Sequence, residues 1–174
     1  MKKILIKIWD HLEEIFLLPS LMFSVGLIFL QVIMRYVVGQ SLTWSEELAR
    51  YLYIWQTWIG VSYAAKNGTH LRITMVKDRL SAKSQQVLEL FVTLVWIGFA
   101  IFIIVQGMSA VETIARFGQK SSALQIPMQI CYVAIPVGMV LMIIRLIERT
   151  IKGFLHKDEA GKLDAEVEKG EITS

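Results

Sequence analysis

Cysteine occurs once in the 174 residues, as Cys131, inside an apolar run. A single thiol excludes a disulfide framework, a CxxC redox pair and a cysteine-built zinc site. The three histidines, His11, His70 and His156, fall outside the strongly apolar stretches, which excludes a bis-histidine haem held between membrane helices. Charge is also scarce. Asp, Glu, Lys and Arg make up 19% of the chain, and many of them lie towards its C-terminal end. Hydrophobic residues reach 55% before any glycine is counted, whereas soluble domains reach about 45–50% with glycine included. Mean hydropathy is +0.53. A soluble domain of this size buries only about 70% of its chain surface, so a water-soluble enzyme and intrinsic disorder are both excluded. The formal net charge is +3. Its basic residues sit between apolar runs, a pattern of membrane topology rather than a nucleic-acid stripe.

Four apolar stretches are each about long enough for a bilayer core, which takes about 20 helical residues. They cover residues 15–38, 48–65, 87–108 and 126–147. An open strand would leave backbone groups unpaired in lipid, so all four are expected to be helical. The chain therefore reads as one membrane domain over residues 1–174, an all-α integral membrane protein with four transmembrane helices. The first stretch begins too late and runs too long for a cleaved signal peptide. Before it, over residues 1–14, Ile4, Ile8 and Leu12 recur at helical spacing, with Lys3, Lys7, Asp10 and Glu14 on the other side. That pattern predicts an amphipathic interfacial helix; a plain basic topogenic start is the alternative. The loop around His70 to Lys83 mixes Leu71, Ile73, Met75, Val76 and Leu80 with basic residues and is expected to lie along the membrane surface. Residues 156–174 are polar and read as a frayed tail.

Lys and Arg set the orientation. Lys2, Lys3 and Lys7 precede the first stretch. Lys66, Arg72, Lys77, Arg79 and Lys83 separate the second from the third, and Arg145, Arg149, Lys152 and Lys157 flank the fourth. The first loop, GQSLTWSEE, has no basic residue, and the third has only Arg116 and Lys120. Both termini are therefore expected in the cytoplasm.

Ionisable residues inside a membrane usually mark a pathway for ions or protons. None stands at mid-bilayer here. Glu46, Glu47, Glu89, Glu112, Glu148, Arg35, Arg50 and Arg145 all lie near helix ends, where long side chains are expected to snorkel to headgroups. This argues against an ion-coupled exchanger. No Ser/His or Asp/Asp pair supports an intramembrane protease, and no catalytic, cofactor-binding or metal-ligating set emerges.

The densest polar cluster runs from Ser41 to Trp55 and includes Trp44, Glu46, Glu47 and Arg50. Thr43 and Glu46 fit a capping box. Arg50 shares a helix face with both glutamates, and Arg35 is expected to reach the same carboxylates. The cluster reads as a charge-balanced helix start, and compatibly as an outward face for a partner. Trp55 and Trp58 lie near the middle of the second stretch rather than in an interfacial belt. Gly60 and Ala64 form a small-xxx-small pair. Such a helix expects protein around it, from its own bundle or from another subunit. Gln31 and Gln106 are expected to bond between helices. Pro127 is expected in the first turn of the fourth helix. Pro136 should kink it, or break it at a substrate site.

Taken in order and spacing, these features resemble the small membrane subunit (Q type, DctQ-like) of tripartite ATP-independent periplasmic (TRAP) transporters. The most specific part is QVIMRYVVGQSLTWSEELARYLYIW, Gln31 to Trp55; GVSYAAKNGTHLRI and LQIPMQICYVAIPVGMVLMIIRLIE extend it. The resemblance covers about residues 1 to 155. It implies a bacterial inner-membrane protein that is no enzyme. It implies sodium-driven uptake of an organic acid, of the dicarboxylate or sialic acid type, delivered by a periplasmic substrate-binding protein. A large membrane (M-type) subunit would carry the solute, and this chain would be its scaffold in the phospholipid bilayer. Trp55 and Trp58 would then face the large subunit, with Ser41–Arg50 and Arg116–Gln125 near the binding protein. The alternative is a self-contained homo-oligomeric four-helix transporter or channel. That would need a polar face through the bilayer, and the third stretch offers almost none.

Overall fold

The computed structural model describes residues 9–67 and 82–171. Most of the expected interfacial helix and the surface loop around His70 lie outside them. The described residues are helical apart from short connections, with one isolated antiparallel bridge, Lys120 to Pro127. Helix α1 spans Leu12–Ile33 and runs on into a π-helical turn, Met34–Val38. Helix α2 spans Thr43–Lys66, α3 Ala82–Phe117 and α4 Gln129–Glu171. Among the described residues, three stretches are long and apolar enough to cross a membrane: Leu12–Val38, Val87–Phe117 and Gln129–Ile151. Helix α2 is long enough as well, about 36 Å at 1.5 Å per residue, but too polar to qualify by composition. It still travels with its neighbours, being bonded to both ends of α1.

Neighbours in sequence are not all neighbours in space. Helix α1 packs on α2, α2 on α4, and α4 on α3. The shared core, Ala65, Ala100, Met139, Met142 and Leu146, lies among α2, α3 and α4, with Trp58, Val61 and Trp96 against it. Helix α4 is central: 44% of its most apolar stretch is buried, against 11% for α1 and for α3. Met22 and Phe29 on α1, and Phe91, Phe102 and Val105 on α3, turn large apolar surfaces outward. In a bilayer those surfaces suit lipid chains.

The closest approach is made where side chains are absent. A Cβ on Gly138 would stand 2.5 Å from the Trp58 carbonyl oxygen and 2.7 Å from the Trp58 Cβ, so α4 lies directly against the α2 backbone there. On the α3 side, a Cβ on Gly107 would meet Ile135 Cγ2 at 3.1 Å and Pro136 Cδ at 3.3 Å. Small residues allow such approaches between membrane helices. Helix α4 continues unbroken through Pro136, so no split helix forms there. The Gly60/Ala64 pair does not make the tight crossing within this chain. Nothing lies within 4 Å of where a Gly60 Cβ would stand.

The α1–α2 contact is a ladder of polar bonds. Ser62 Oγ donates to Glu13 Oε1 at 3.2 Å, Gln56 Nε2 to Ser24 Oγ at 3.0 Å, and Gln31 Nε2 to Glu46 Oε2 at 3.5 Å. The partners run in opposite order, as antiparallel helices require. Between membrane helices such bonds are worth about 0.6 kcal/mol each.

Several expectations are corrected. Helix α1 begins at Leu12, so residues 12–14 belong to its first turn rather than to an interfacial helix. The capping box does not form: α2 starts at Thr43, with Leu42 in the cap position and no side-chain cap bond. Ser45 Oγ donates instead to the Leu42 carbonyl at 2.8 Å. Helix α4 starts at Gln129, leaving the exposed Pro127 in the bridge before it rather than in its first turn. Helix α3 extends to Phe117. Helix α4 extends to Glu171, where a frayed tail is expected; Lys, Glu, Ala and Leu, abundant there, are all good helix formers.

Candidate functional site

Two polar clusters lie at opposite ends of the bundle. At the end where α1 begins and α2 finishes, α1 and α4 are joined by a buried ion pair. Glu13 is 0% exposed and Arg145 3%. Arg145 Nε reaches Glu13 Oε1 at 2.5 Å and Nη2 reaches Glu13 Oε2 at 2.8 Å, a bidentate fork. Arg145 Nη1 donates to Glu148 Oε2 at 2.9 Å, one turn on along α4. Trp9 closes the cluster. Its indole N–H donates to Glu148 Oε1 at 2.6 Å, its ring centroid lies 4.9 Å from the guanidinium carbon, and its carbonyl accepts from Arg145 Nη2. Lys66, at the end of α2, pairs with Glu14 at 3.6 Å and donates to the Asp10 carbonyl.

Arginine suits this position because its planar fork can satisfy a carboxylate and other acceptors together. Arg145 therefore does not snorkel to headgroups as expected; it turns inward, because Glu13 would otherwise be buried unpaired. The arrangement can fix how α1 enters the bundle.

At the hairpin end, Glu47 joins the two connections. Its Oε2 accepts from the backbone N–H of Ala123 at 2.8 Å and of Leu124 at 2.9 Å, and its Oε1 from the Tyr51 hydroxyl at 2.7 Å. The loop it holds is shaped by its own bonds: Ser121 N–H to the Ile126 carbonyl at 2.9 Å and Met128 N–H to the Gln119 carbonyl at 2.9 Å. Gly118, at φ 58°, turns the chain out of α3. The Tyr51 hydroxyl and the two backbone donors hold the Glu47 carboxyl at about 2, against the desolvation that would raise it.

Replacing Glu47 with alanine is expected to free the Ala123 and Leu124 amides, seen as faster hydrogen exchange there and not in α3. A folded-state value below that of a free carboxylate, about 4.3, gives a stabilisation fully present above that value. It is lost as pH falls through about 2. The two amides should therefore stay protected at pH 5; early loss of protection in wild type would contradict the latch.

The sequence-predicted residues divide between these ends. Glu46 pairs with Arg50 at 3.2 Å, both solvent-facing. Gln31, rather than the exposed Arg35, is the α1 side chain that reaches Glu46, because Gln31 sits one turn earlier on the face towards α2. Trp44 is exposed and Trp55 half-buried. Trp58 packs within its own bundle, over Gly138. Gln106 is exposed. The expected polar stretches Ser41–Arg50 and Arg116–Gln125 are brought together by Glu47 into one surface.

Sequence reasoning missed Glu13 and Ser24; Gln56 and Ser62 stand out in the sequence as polar residues of the second stretch, but their partners on α1 do not. A signal was present on α1: Glu13, Ser20, Ser24 and Gln31 share one face of an otherwise apolar helix. In a membrane helix the polar stripe, not the apolar one, faces protein.

The family described as "Tripartite ATP-independent periplasmic transporters, DctQ component" matches residues 24–156. The chain belongs to this DctQ family. The matched stretch holds Glu47, Arg145 and Glu148, while Trp9 and Glu13 precede it. A sialic acid TRAP transporter small permease protein, SiaQ, of Vibrio cholerae is 30% identical over 147 residues, covering 84% of this chain and 84% of the relative. An ectoine TRAP transporter small permease protein, TeaB, of Halomonas elongata is 29% identical, covering 73% and 66%. An isethionate TRAP transporter permease protein, DctMQ, of Oleidesulfovibrio alaskensis is 28% identical over 144 residues. That match takes in 79% of this chain but only 23% of the relative. Family and apolar helices together make this DctQ-family chain a multi-pass membrane protein that is a transporter component.

Proposed function

We propose that this chain is the small membrane subunit of a sodium-driven TRAP transporter that imports an organic acid of the dicarboxylate or sialic acid type. A periplasmic substrate-binding protein delivers the solute, a large membrane subunit carries it, and this chain is a non-catalytic scaffold. The observation that carries the reading is the family match over residues 24–156. The DctMQ relative supports a large partner, since a stretch similar to this chain is only 23% of that longer permease. Relatives named for isethionate, sialic acid, ectoine and C4-dicarboxylate share the same small-subunit pattern. Solute choice on this reading resides mainly in other chains.

The chain crosses the bacterial inner membrane four times, α2 included, with both termini cytoplasmic. The larger number of basic residues around Lys66 and Arg149 supports this orientation, against Arg35, Arg50, Arg116 and Lys120 at the hairpin end. The Glu13–Arg145 pair stiffens the cytoplasmic end, and the loop pinned by Glu47 forms part of the periplasmic surface offered to the binding protein.

Mild-detergent extraction of the tagged chain from its own bacterium tests the proposal. A much larger polytopic membrane protein should co-purify in roughly equal amount, and the pair with its binding protein should accumulate an organic acid in liposomes under a sodium gradient. A lone or self-associated chain that moves solute unaided would overturn it.

A further inference from the structure

Among the described residues, helix α2 carries a second face that its own bundle leaves uncovered. Glu46, Arg50, Tyr53 and Thr57 are all exposed and recur at spacings of four, three and four. Gly60 continues the line, with open space where a Cβ would stand. Tyr53 is 68% exposed, near the middle of the helix. This face differs in kind from the outward faces of α1 and α3, which present Leu, Phe, Ile and Val. Lipid chains satisfy most of those two faces, Gln106 on α3 being an exception. They leave the Tyr53 hydroxyl unsatisfied and gain little from a glycine backbone, so the α2 face calls for protein.

We infer that the Glu46–Arg50–Tyr53–Thr57–Gly60 face of α2 is the seat of a transmembrane helix from the large permease subunit. The inference rests on the proposed function for the existence of that subunit. The occupant follows from two observations. In the DctMQ relative, a stretch similar to this chain is part of a permease more than four times its matched length, so a much longer permease sequence is held beside it in one polypeptide. Within the described residues, α1 and α4 leave this face open while packing on α2, whose opposite face buries Ile59, Ser62 and Ala65. The partner helix would approach most closely at Gly60 and supply an acceptor or donor to Tyr53. The Glu46–Arg50 pair would lie at its hairpin-side end.

The test places the photo-reactive residue p-benzoylphenylalanine at Tyr53 or Thr57, and for comparison at Phe29 on α1 or Phe102 on α3, in the full chain expressed with its transporter partners. After irradiation, adducts joining this chain to the co-purifying polytopic subunit should form from positions 53 and 57 several-fold more than from 29 and 102. In parallel, Gly60→Leu should leave the unfolding temperature of the isolated chain unchanged and lower the recovery of the large subunit. Adducts confined to 29 or 102, or none from 53 and 57 while the large subunit co-purifies, would overturn the face and leave the subunit reading standing. An adduct of doubled chain mass from 53 or 57 would replace the occupant with a second copy. If no large subunit co-purifies with the unmodified chain, the functional reading itself fails.

Discussion

Arg145→Ala is expected to destabilise the chain by about 3–5 kcal/mol, the usual cost of stripping one partner from a buried ion pair. The size follows from what is left behind. Glu13 is 0% exposed and would lose both arms of its fork, keeping the Ser62 hydroxyl at 3.2 Å. Glu148 would keep only the Trp9 indole among its bonds in this cluster. Arg145→Lys keeps the charge but cannot serve Glu13 at two oxygens while reaching Glu148 and the Trp9 carbonyl, so it should fall between wild type and alanine. Removing both charges of the buried pair, as in Glu13→Gln with Arg145→Met, should cost less than Arg145→Ala alone, because no fully buried charge is left unpaired; Glu148 loses its arginine in both variants but is 32% exposed. Thermal unfolding in detergent, followed by helical circular dichroism, measures all three. An Arg145→Ala chain that melts with wild type would show that the pair does not hold α1 to α4.

Gly138→Ala is the second large effect, from a single methyl group. Its Cβ would stand 2.5 Å from the Trp58 carbonyl oxygen and 2.8 Å from the carbonyl carbon. Those atoms are backbone and cannot rotate away, so α2 and α4 must separate. Overpacking of this kind costs about 1–3 kcal/mol or more. The consequence should spread, because the α2–α4 crossing also seats Met139, Met142 and Trp58. Gly26→Ala and Gly98→Ala are the matched controls. Both glycines are helical with nothing within 4 Å of the would-be Cβ, and Gly→Ala at such sites stabilises by about 0.4–1 kcal/mol. Opposite signs at position 138 and at positions 26 and 98 would confirm that contact, not helix propensity, decides. If Gly138→Ala behaves like the controls, the tight crossing is wrong.

Much of the secondary structure was legible in the chain. Long apolar runs can satisfy their backbone only as helices in lipid, so α1, α3 and the apolar part of α4 followed from hydropathy. Helix α2 was legible from its own oddness: Trp55, Trp58, Gln56 and Ser62 belong to a helix surrounded by protein. The capping box was misread because Thr43 and Glu46 have the right spacing, yet the chain enters α2 with Leu42 in the cap position and Glu46 turned to Gln31 and Arg50. Local spacing states which bonds are available; the path of the preceding loop selects among them. Arg145 was misread for a related reason. An arginine near a helix end is as able to reach headgroups as to turn inward, and only the position of Glu13, 132 residues away in sequence, settles which.

The sequence by itself determined that the chain is helical and belongs in a membrane. These are properties of single segments meeting lipid or water, and each segment can be read alone. Tertiary structure decided the neighbours: α4 beside α2 rather than only beside α3, Gly138 rather than Gly60 at the close crossing, Glu13 against Arg145, and Glu47 against the amides of Ala123 and Leu124. The physical reason is that lipid offers little hydrophobic preference for one helix pairing over another. The choice falls to a few small residues and polar bonds that are silent until their partners are in place.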